Sequence, residues 1–327
     1  VAWRRRVALA GRGRFATYGS ARRHKEAAVL HRSEYLRRMT DRAGRTRVVA
    51  HDSGAGAWRM AFLAPTARMA PFICRFNAYA EHDTRFVRRR ELPNGQATLI
   101  FNLGAELRIE HPAATRSRFA AGAGFYSGPS AAYAVSETEG AQAGAQLMLT
   151  LLGARRLIGR PLSDIGDRLT EPADLLGHAA RDLLGRLMEA PSLERRLALL
   201  EEEMVRRLAA PGTVPRDLAW AWRRLQESEG RLRVGALAGE LGCSRKHLTL
   251  RFHREFGLPP KLFARLLRFD HAMRLIAADR PASWAALADA CGYADQAHMA
   301  RDFAAFAGSP PAALLRRRLP DEGGFVD

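Results

Sequence analysis

The sequence predicts an α+β protein of two domains: a β-rich N-terminal domain followed by helices, and an all-α C-terminal domain built as a tandem helix-turn-helix. Three observations carry this. Short apolar runs broken by Gly, Pro, Asn and Asp fill residues 48–150; the apolar period becomes helical between Glu171 and Leu208; and one helical pattern is written twice near the C-terminus.

Residues 1–47 of the 327-residue chain hold 14 Lys and Arg against 3 Asp and Glu, with no clean period. Two readings stand for this segment: a disordered basic arm that touches phosphates, or an extension outside the native protein. Val1 in first place, with Met39 downstream, favours a native start at Met39. From Val48 the runs 58–63, 71–76, 97–103 and 146–152 read as strands. Pro93-Asn94-Gly95 is a turn signal, and Phe125 to Ser130 reads as another. Many short strands without helices between them predict a β-sandwich or small barrel. Leu175, Leu176, Leu183, Leu184 and Leu187 then stripe one helix face, and Leu193, Leu197, Leu200, Met204 and Leu208 the next. These stripes suit packing on their own domain, with a helix-pair dimer interface as the alternative. Residues 48–210 form the first domain. Pro211-Gly212-Thr213-Val214-Pro215 is the linker, and residues 216–320 form the second domain, which opens with an amphipathic helix over 216–229.

The duplicated pattern occupies residues 237–260 and 287–311. Leu237, Ala238 and Gly242 align with Leu287, Ala288 and Gly292; after one extra residue, His247, Leu248, Phe252 and Gly257 align with His298, Met299, Phe303 and Gly308. Each copy is a short helix, a glycine turn, a capped second helix and a Gly-Pro stop, which is the outline of a helix-turn-helix. Val234, Leu237, Ala238 and Leu241 fall at i, i+3, i+4 and i+7, so they face inward. Ser244 and Asp295 are N-caps of the second helices. Leu248, Phe252 and Phe256 pin the first of these inward, and Met299 and Phe303 the other. Left outward are Arg245, Lys246, Thr249 and Leu250 in one unit, and Gln296, Ala297, Ala300 and Arg301 in the other.

The N-terminal half of such a helix reaches base edges; Arg suits guanine and Gln suits adenine. Arg245, Lys246, Thr249, Gln296 and Arg301 are therefore the expected base contacts, with Ala297 beside them. Arg251, with Arg254, Lys261 and Arg268, is expected at phosphates or in the fold. The net charge of +18 fits a polyanionic partner. Residues 231–280 hold 11 basic against 4 acidic residues and residues 281–319 hold 4 against 3, so the first unit should supply more of the phosphate attraction.

The region from about Arg216 to Leu319 resembles the DNA-binding domain of the AraC/XylS family of bacterial transcriptional regulators. Phe263, Leu267, Arg268 and Ala272 fit that family's linker helix, while Gly292-Tyr293-Ala294-Asp295 through Phe303, then Gly308-Ser309-Pro310, lie close to its signature. The resemblance implies recognition helices over 244–256 and 295–307. One departure is Leu250, where many members carry a DNA-contacting Arg; Lys246, Thr249 or Arg251 replaces that contact, or it is lost. Residues 88–95 and 152–159 are similar to cupin-like sensor domains of such regulators, which implies an effector-binding or dimerising role. The resemblance further implies promoter DNA, RNA polymerase, a small-molecule effector and a second copy of the chain as partners, a cytoplasmic location, and activation as the usual behaviour.

Enzyme chemistry finds little support. His51, His82 and His111 are dispersed and form no H-x-H pair of the kind that cupin enzymes use for metals. Gly122-Ala123-Gly124 lacks the Lys-Ser/Thr of a P-loop, and no G-x-S-x-G elbow occurs. Cys74, Cys243 and Cys291 are too far apart for a zinc cluster and odd in number for a disulfide framework. No catalytic residue, cofactor, metal or membrane partner is expected. The alternatives are a cupin-type metalloenzyme fused to a DNA-binding module and a non-specific architectural DNA binder.

Overall fold

The computed structural model describes residues 44–52, 57–82, 87–111, 115–209, 214–278, 283–318 and 324–327. Most of the basic N-terminal segment, and residues 211–213 of the expected linker, lie outside them.

The N-terminal domain is built from β1 (Thr46–Asp52), β2 (Ala57–Leu63), β3 (Ile73–His82), β4 (Val87–Glu91), β5 (Ala97–Asn102), β6 (Leu107–His111), β7 (Thr115–Phe119), β8 (Ala123–Ser127), β9 (Ala134–Thr138) and β10 (Gln142–Leu149). All pairings among them are antiparallel. Two sheets result, one of six strands ordered β1-β2-β3-β10-β5-β8 and one of four ordered β4-β9-β6-β7.

Side chains alternate across a strand, so each strand of the larger sheet serves two environments. Phe76 and Ala78 of β3, Leu99 and Phe101 of β5, and Leu147 and Leu149 of β10 turn toward a helical layer and are buried. Tyr79, Glu81, Ile100, Gln146 and Met148 turn the other way, into a cavity between the sheets. The helical layer comprises α1 (Leu151–Ile158), α2 (Pro172–Leu176), α3 (His178–Glu189) and α4 (Leu193–Ala209). The leucine stripe of α4, with Leu197, Leu200 and Met204 buried, lies along the outer face of this sheet.

Two sequence expectations are corrected. The strand expected over 146–152 ends at Leu149, because Thr150 caps a helix: its hydroxyl accepts from the Gly153 amide at 3.0 Å. An apolar run alone reads the same for a buried strand and a buried helix. The turn expected over 125–130 begins only after Ser127, because Phe125 to Ser127 complete β8 against β5.

The C-terminal domain comprises α5 (Arg216–Glu227), α6 (Val234–Glu240), α7 (Arg245–Phe256), α8 (Pro260–Ala277), α9 (Trp284–Ala290), α10 (Gln296–Ala307) and α11 (Pro311–Arg316). One aromatic core runs through it. Phe252, Phe256 and Phe263 bind α7 to α8, and Phe269, Phe303 and Phe306 bind α8 to α10. The rings of Phe269 and Phe303 meet edge to face with centroids 4.8 Å apart.

The two domains share this core, since Leu151 and Leu152 of α1 belong to it. Arg155 donates to Glu255 at 2.7 Å across the junction, with both side chains largely buried. The turn at Gly95 lies directly on α8: a Cβ there would sit 3.2 Å from the Phe263 ring.

Because Phe269 is almost fully buried against the rings of Phe303 and Phe306, Phe269→Ala should cost about 3–5 kcal/mol of stability. Urea unfolding followed by circular dichroism would show this as a lowered midpoint.

Candidate functional site

Each C-terminal half-unit repeats one construction. Helix α6 leads through a turn to α7, and α9 leads through a turn to α10. Gly242 and Gly292 make the two turns at φ of 62° and 73°, a region that glycine enters without strain. Ser244 accepts from the His247 amide at 3.2 Å and Asp295 from the His298 amide at 2.6 Å, so both second helices start at capped positions. Leu248 and Phe252 in one helix, and Met299 and Phe303 in the other, are buried as the spacing requires.

Burial on one side leaves the opposite side in water. Arg245, Lys246, Gln296, Ala297 and Arg301 are exposed and Thr249 is half-buried. Among the described residues, none of these polar side chains has a hydrogen-bond or ion-pair partner. They form two outward patches of donors, one at the start of each second helix. Arg251 behaves differently. Its guanidinium forms a two-pronged pair with Asp217 of α5, one contact at 3.1 Å. Burial alone would raise the Asp217 carboxyl pKa, but the hydrogen bond and charge of Arg251 hold it below the usual carboxylate range. Arg268 is likewise engaged: it donates to the Gly230 carbonyl at 2.7 Å and lies over the Tyr293 ring.

A second clamp mirrors the first with the charges exchanged. Asp302 of α10 is almost fully buried, and Arg265 of α8 donates to it at 2.9 and 2.7 Å. This pair was legible in principle, since Asp302 falls on the same face as Met299 and Phe303, where a carboxylate needs a cation.

The N-terminal domain holds a cavity of about 370 Å³ between its sheets. Trp58, Met60, Ile100, Ile109 and Phe125 give it apolar walls, and Glu81, Arg89, Glu91 and Ser136 form a polar pole. Arg89 pairs with Glu81 at 3.0 Å, and Ser136 donates to Glu91 at 2.7 Å. Burial, then the charges of Glu81 and Glu91, push the Tyr79 hydroxyl pKa up, so it stays a neutral donor. Nε of Arg89, Oε1 of Gln96 and Oγ1 of Thr138 belong to lining residues and are buried without partners. Such atoms carry a desolvation cost.

Strand β4 connects the cavity to the second helix-turn-helix. Both Arg89 and its neighbour Arg90 belong to the cavity lining, but their guanidinium groups part: that of Arg89 pairs with Glu81, and that of Arg90 reaches the C-terminal domain. Arg90 donates to the Ala307 carbonyl at 2.5 Å, at the last turn of α10, and to Asp327 at 2.5 Å. A cation is favoured at a helix C-terminus. Residues 324–327 lie along β4 as a short added strand: the Arg90 amide donates to the Phe325 carbonyl at 2.8 Å and Arg89 bridges to Val326. The hydrogen bond from Arg90 holds the Asp327 carboxyl below its usual range, and burial opposes this. The clasp is therefore complete at neutral pH and lost as pH falls through that depressed value. No local signal could reveal Arg90, because its partner lies 217 residues away.

The thiols of Cys74 and Cys291 are pushed up by burial to about 12 and about 11, so both stay protonated and unreactive at neutral pH. Among the described residues no three His, Cys, Asp or Glu gather to hold a metal, and no helix is long and apolar enough to cross a membrane. His51 and His111 have side chains outside the described residues; His82 is exposed.

Residues 237–317 match the sequence family described as a helix-turn-helix domain. The two units described above are therefore a tandem helix-turn-helix. Comparison with curated proteins gives no match. Among solved structures, ToxT from Vibrio cholerae is similar at 11% identity, over 74% of this chain and 97% of that chain, with a TM-score of 0.43. Unsaturated fatty acid-bound ToxT from the same organism is similar at 11% identity, over 73% and 94%, with a TM-score of 0.42. The AraC-like transcriptional activator CuxR is similar at 16% identity, over 71% and 86%, with a TM-score of 0.28.

Removing Asp302 strands Arg265 beside the core, so Asp302→Ala should lower stability by about 2–4 kcal/mol, read as a fall in melting temperature. Arg90→Ala should leave the melting temperature less affected while speeding amide hydrogen exchange in the last turn of α10, measured by mass spectrometry.

Proposed function

We propose that this chain is a sequence-specific DNA-binding transcriptional regulator of the AraC/XylS kind, an activator acting in the bacterial cytoplasm. Residues 48–210 form its effector domain, 211–215 its linker and 216–320 its DNA-binding domain. The observation that carries the reading is the pair of unpartnered donor patches, Arg245, Lys246 and Thr249 on α7 and Gln296 and Arg301 on α10, set on matched helix-turn-helix units.

Helix α8 has 18 residues, a length of about 27 Å at 1.5 Å per residue. That span suits two helices entering neighbouring major-groove segments on one face of a duplex, about 34 Å apart. Arg245, Lys246 and Arg301 meet guanine edges or phosphates, Gln296 meets adenine, and the small Ala297 lets the helix approach closely. Arg251, held by Asp217, serves to place α7 rather than to touch a base. Arg254 and Lys261, both exposed, add phosphate contacts.

A small molecule occupies the cavity between the sheets. It would lie against Arg89, Gln96 and Thr138 of the lining, and any shift of β4 on binding reaches α10 through Arg90. RNA polymerase and a second copy of the chain are the macromolecular partners in this reading.

Selection from random duplexes with the full chain tests the proposal, and enrichment of one bipartite site is the expected result. On that site Arg301→Ala should cost about 1–3 kcal/mol and relax the base preference at one position. Affinity that falls steeply with salt but prefers no sequence would replace regulation by architectural binding.

A further inference from the structure

Leu250 stands where the fold gives it nothing to do. Its side chain is 62% exposed, and it is the one large exposed hydrophobic residue that the described C-terminal helices place on an outward recognition face. The others among the described residues are Met188 and Val205 on α3 and α4 and Val326 in the tail. Leu248 and Phe252, which flank it, are the residues that anchor α7 inward. Leu250 sits one helical turn from Lys246 on one side and Arg254 on the other, so it interrupts a cationic stripe with an aliphatic group.

The internal repeat says what that position addresses. With His247 matched to His298 and Leu248 to Met299, Leu250 falls on the counterpart of Arg301. The two units share turn, cap and inward anchors, so the two side chains leave equivalent points of equivalent helices. One is a cation that suits guanine O6 and N7. The other is a branched aliphatic group, and the one aliphatic feature of the major groove is the C5 methyl of thymine.

We propose that Leu250 selects a thymine by packing against its C5 methyl, so that the same helical position reads thymine in the first unit and guanine in the second. This rests on the regulator reading above. Three features support it: exposure without structural need, a position among phosphate-seeking cations, and equivalence to Arg301.

The test uses the full chain and the duplex enriched by selection. Each thymine is replaced in turn by deoxyuridine, which removes the methyl and leaves base pairing intact. The expected result is a loss of about fourfold in affinity at one position, the worth of one buried methyl group. Leu250→Ala should bind the thymine duplex about as weakly as the wild type binds the uracil duplex, and should lose the distinction between them. Because Leu250 is exposed, this variant keeps the fold, which its melting temperature would verify. Leu250→Arg should move the preference at that position from thymine toward guanine. Indifference of the wild type to uracil at every position overturns the proposal while leaving the regulator reading intact, and so does an unchanged uracil penalty in Leu250→Ala. Failure to enrich any duplex overturns both.

Discussion

The arrangement of the C-terminal domain depends on the continuity of α8. Both helix-turn-helix units are bolted to this one helix, the first through Phe263 against Phe252 and the second through Phe269 against Phe303 and Phe306. A helix resists stretching because each turn is closed by its own hydrogen bonds, so the spacing of α7 and α10 is set by residue count rather than by loop conformation. Two ion pairs then fix orientation. Arg251 ties α7 to Asp217, and Asp302 ties α10 to Arg265. Aromatic burial supplies the stability, and the planar guanidinium forks supply direction. A hydrophobic contact alone would hold the helices together without specifying their roll, and roll decides which side chains face a duplex.

Strand β4 joins that domain to the other with equal economy. Alternation along a strand places neighbouring residues on opposite faces, so Arg89 and Arg90 serve two sites one residue apart. Arg89 meets Glu81 at the cavity, while Arg90 meets the end of α10. A displacement of this strand would act on both contacts. At the far side, the Arg155–Glu255 pair and the burial of Leu151 and Leu152 bind the first unit to α1. The N-terminal domain therefore grips both helix-turn-helix units, each through a different element.

How much of this was legible in the sequence follows from which forces act locally. The C-terminal helices were readable because their glycines, caps and apolar spacing lie within a few residues of each other, and Ser244 and Asp295 cap where the pattern placed them. Strands β2 and β5 were readable because they carry buried apolar side chains. Strands β4 and β7, reading VRRRE and TRSRF, were not. Their sheet has only a small apolar cluster, in which β7 supplies Phe119 alone, and charged side chains fill most of their other positions, so the apolar alternation is too sparse to see. The outward donors Arg245, Lys246, Gln296 and Arg301 could be named from period alone. That Arg251 is claimed by Asp217 could not, because their pairing depends on how α5 crosses α7.

The short tail along β4 has a further bearing on the molecule's behaviour in solution. A sheet ends in a row of unsatisfied amides and carbonyls that invites another strand to join it. Here the main chain of residues 325–327 occupies the β4 border, with the Arg90 amide donating to Phe325 and the Asp327 amide to Arg88. So long as it stays seated, self-association by strand exchange is closed off at that margin, and the opposite margin is guarded by the charged side chains of Arg116 and Arg118 on β7.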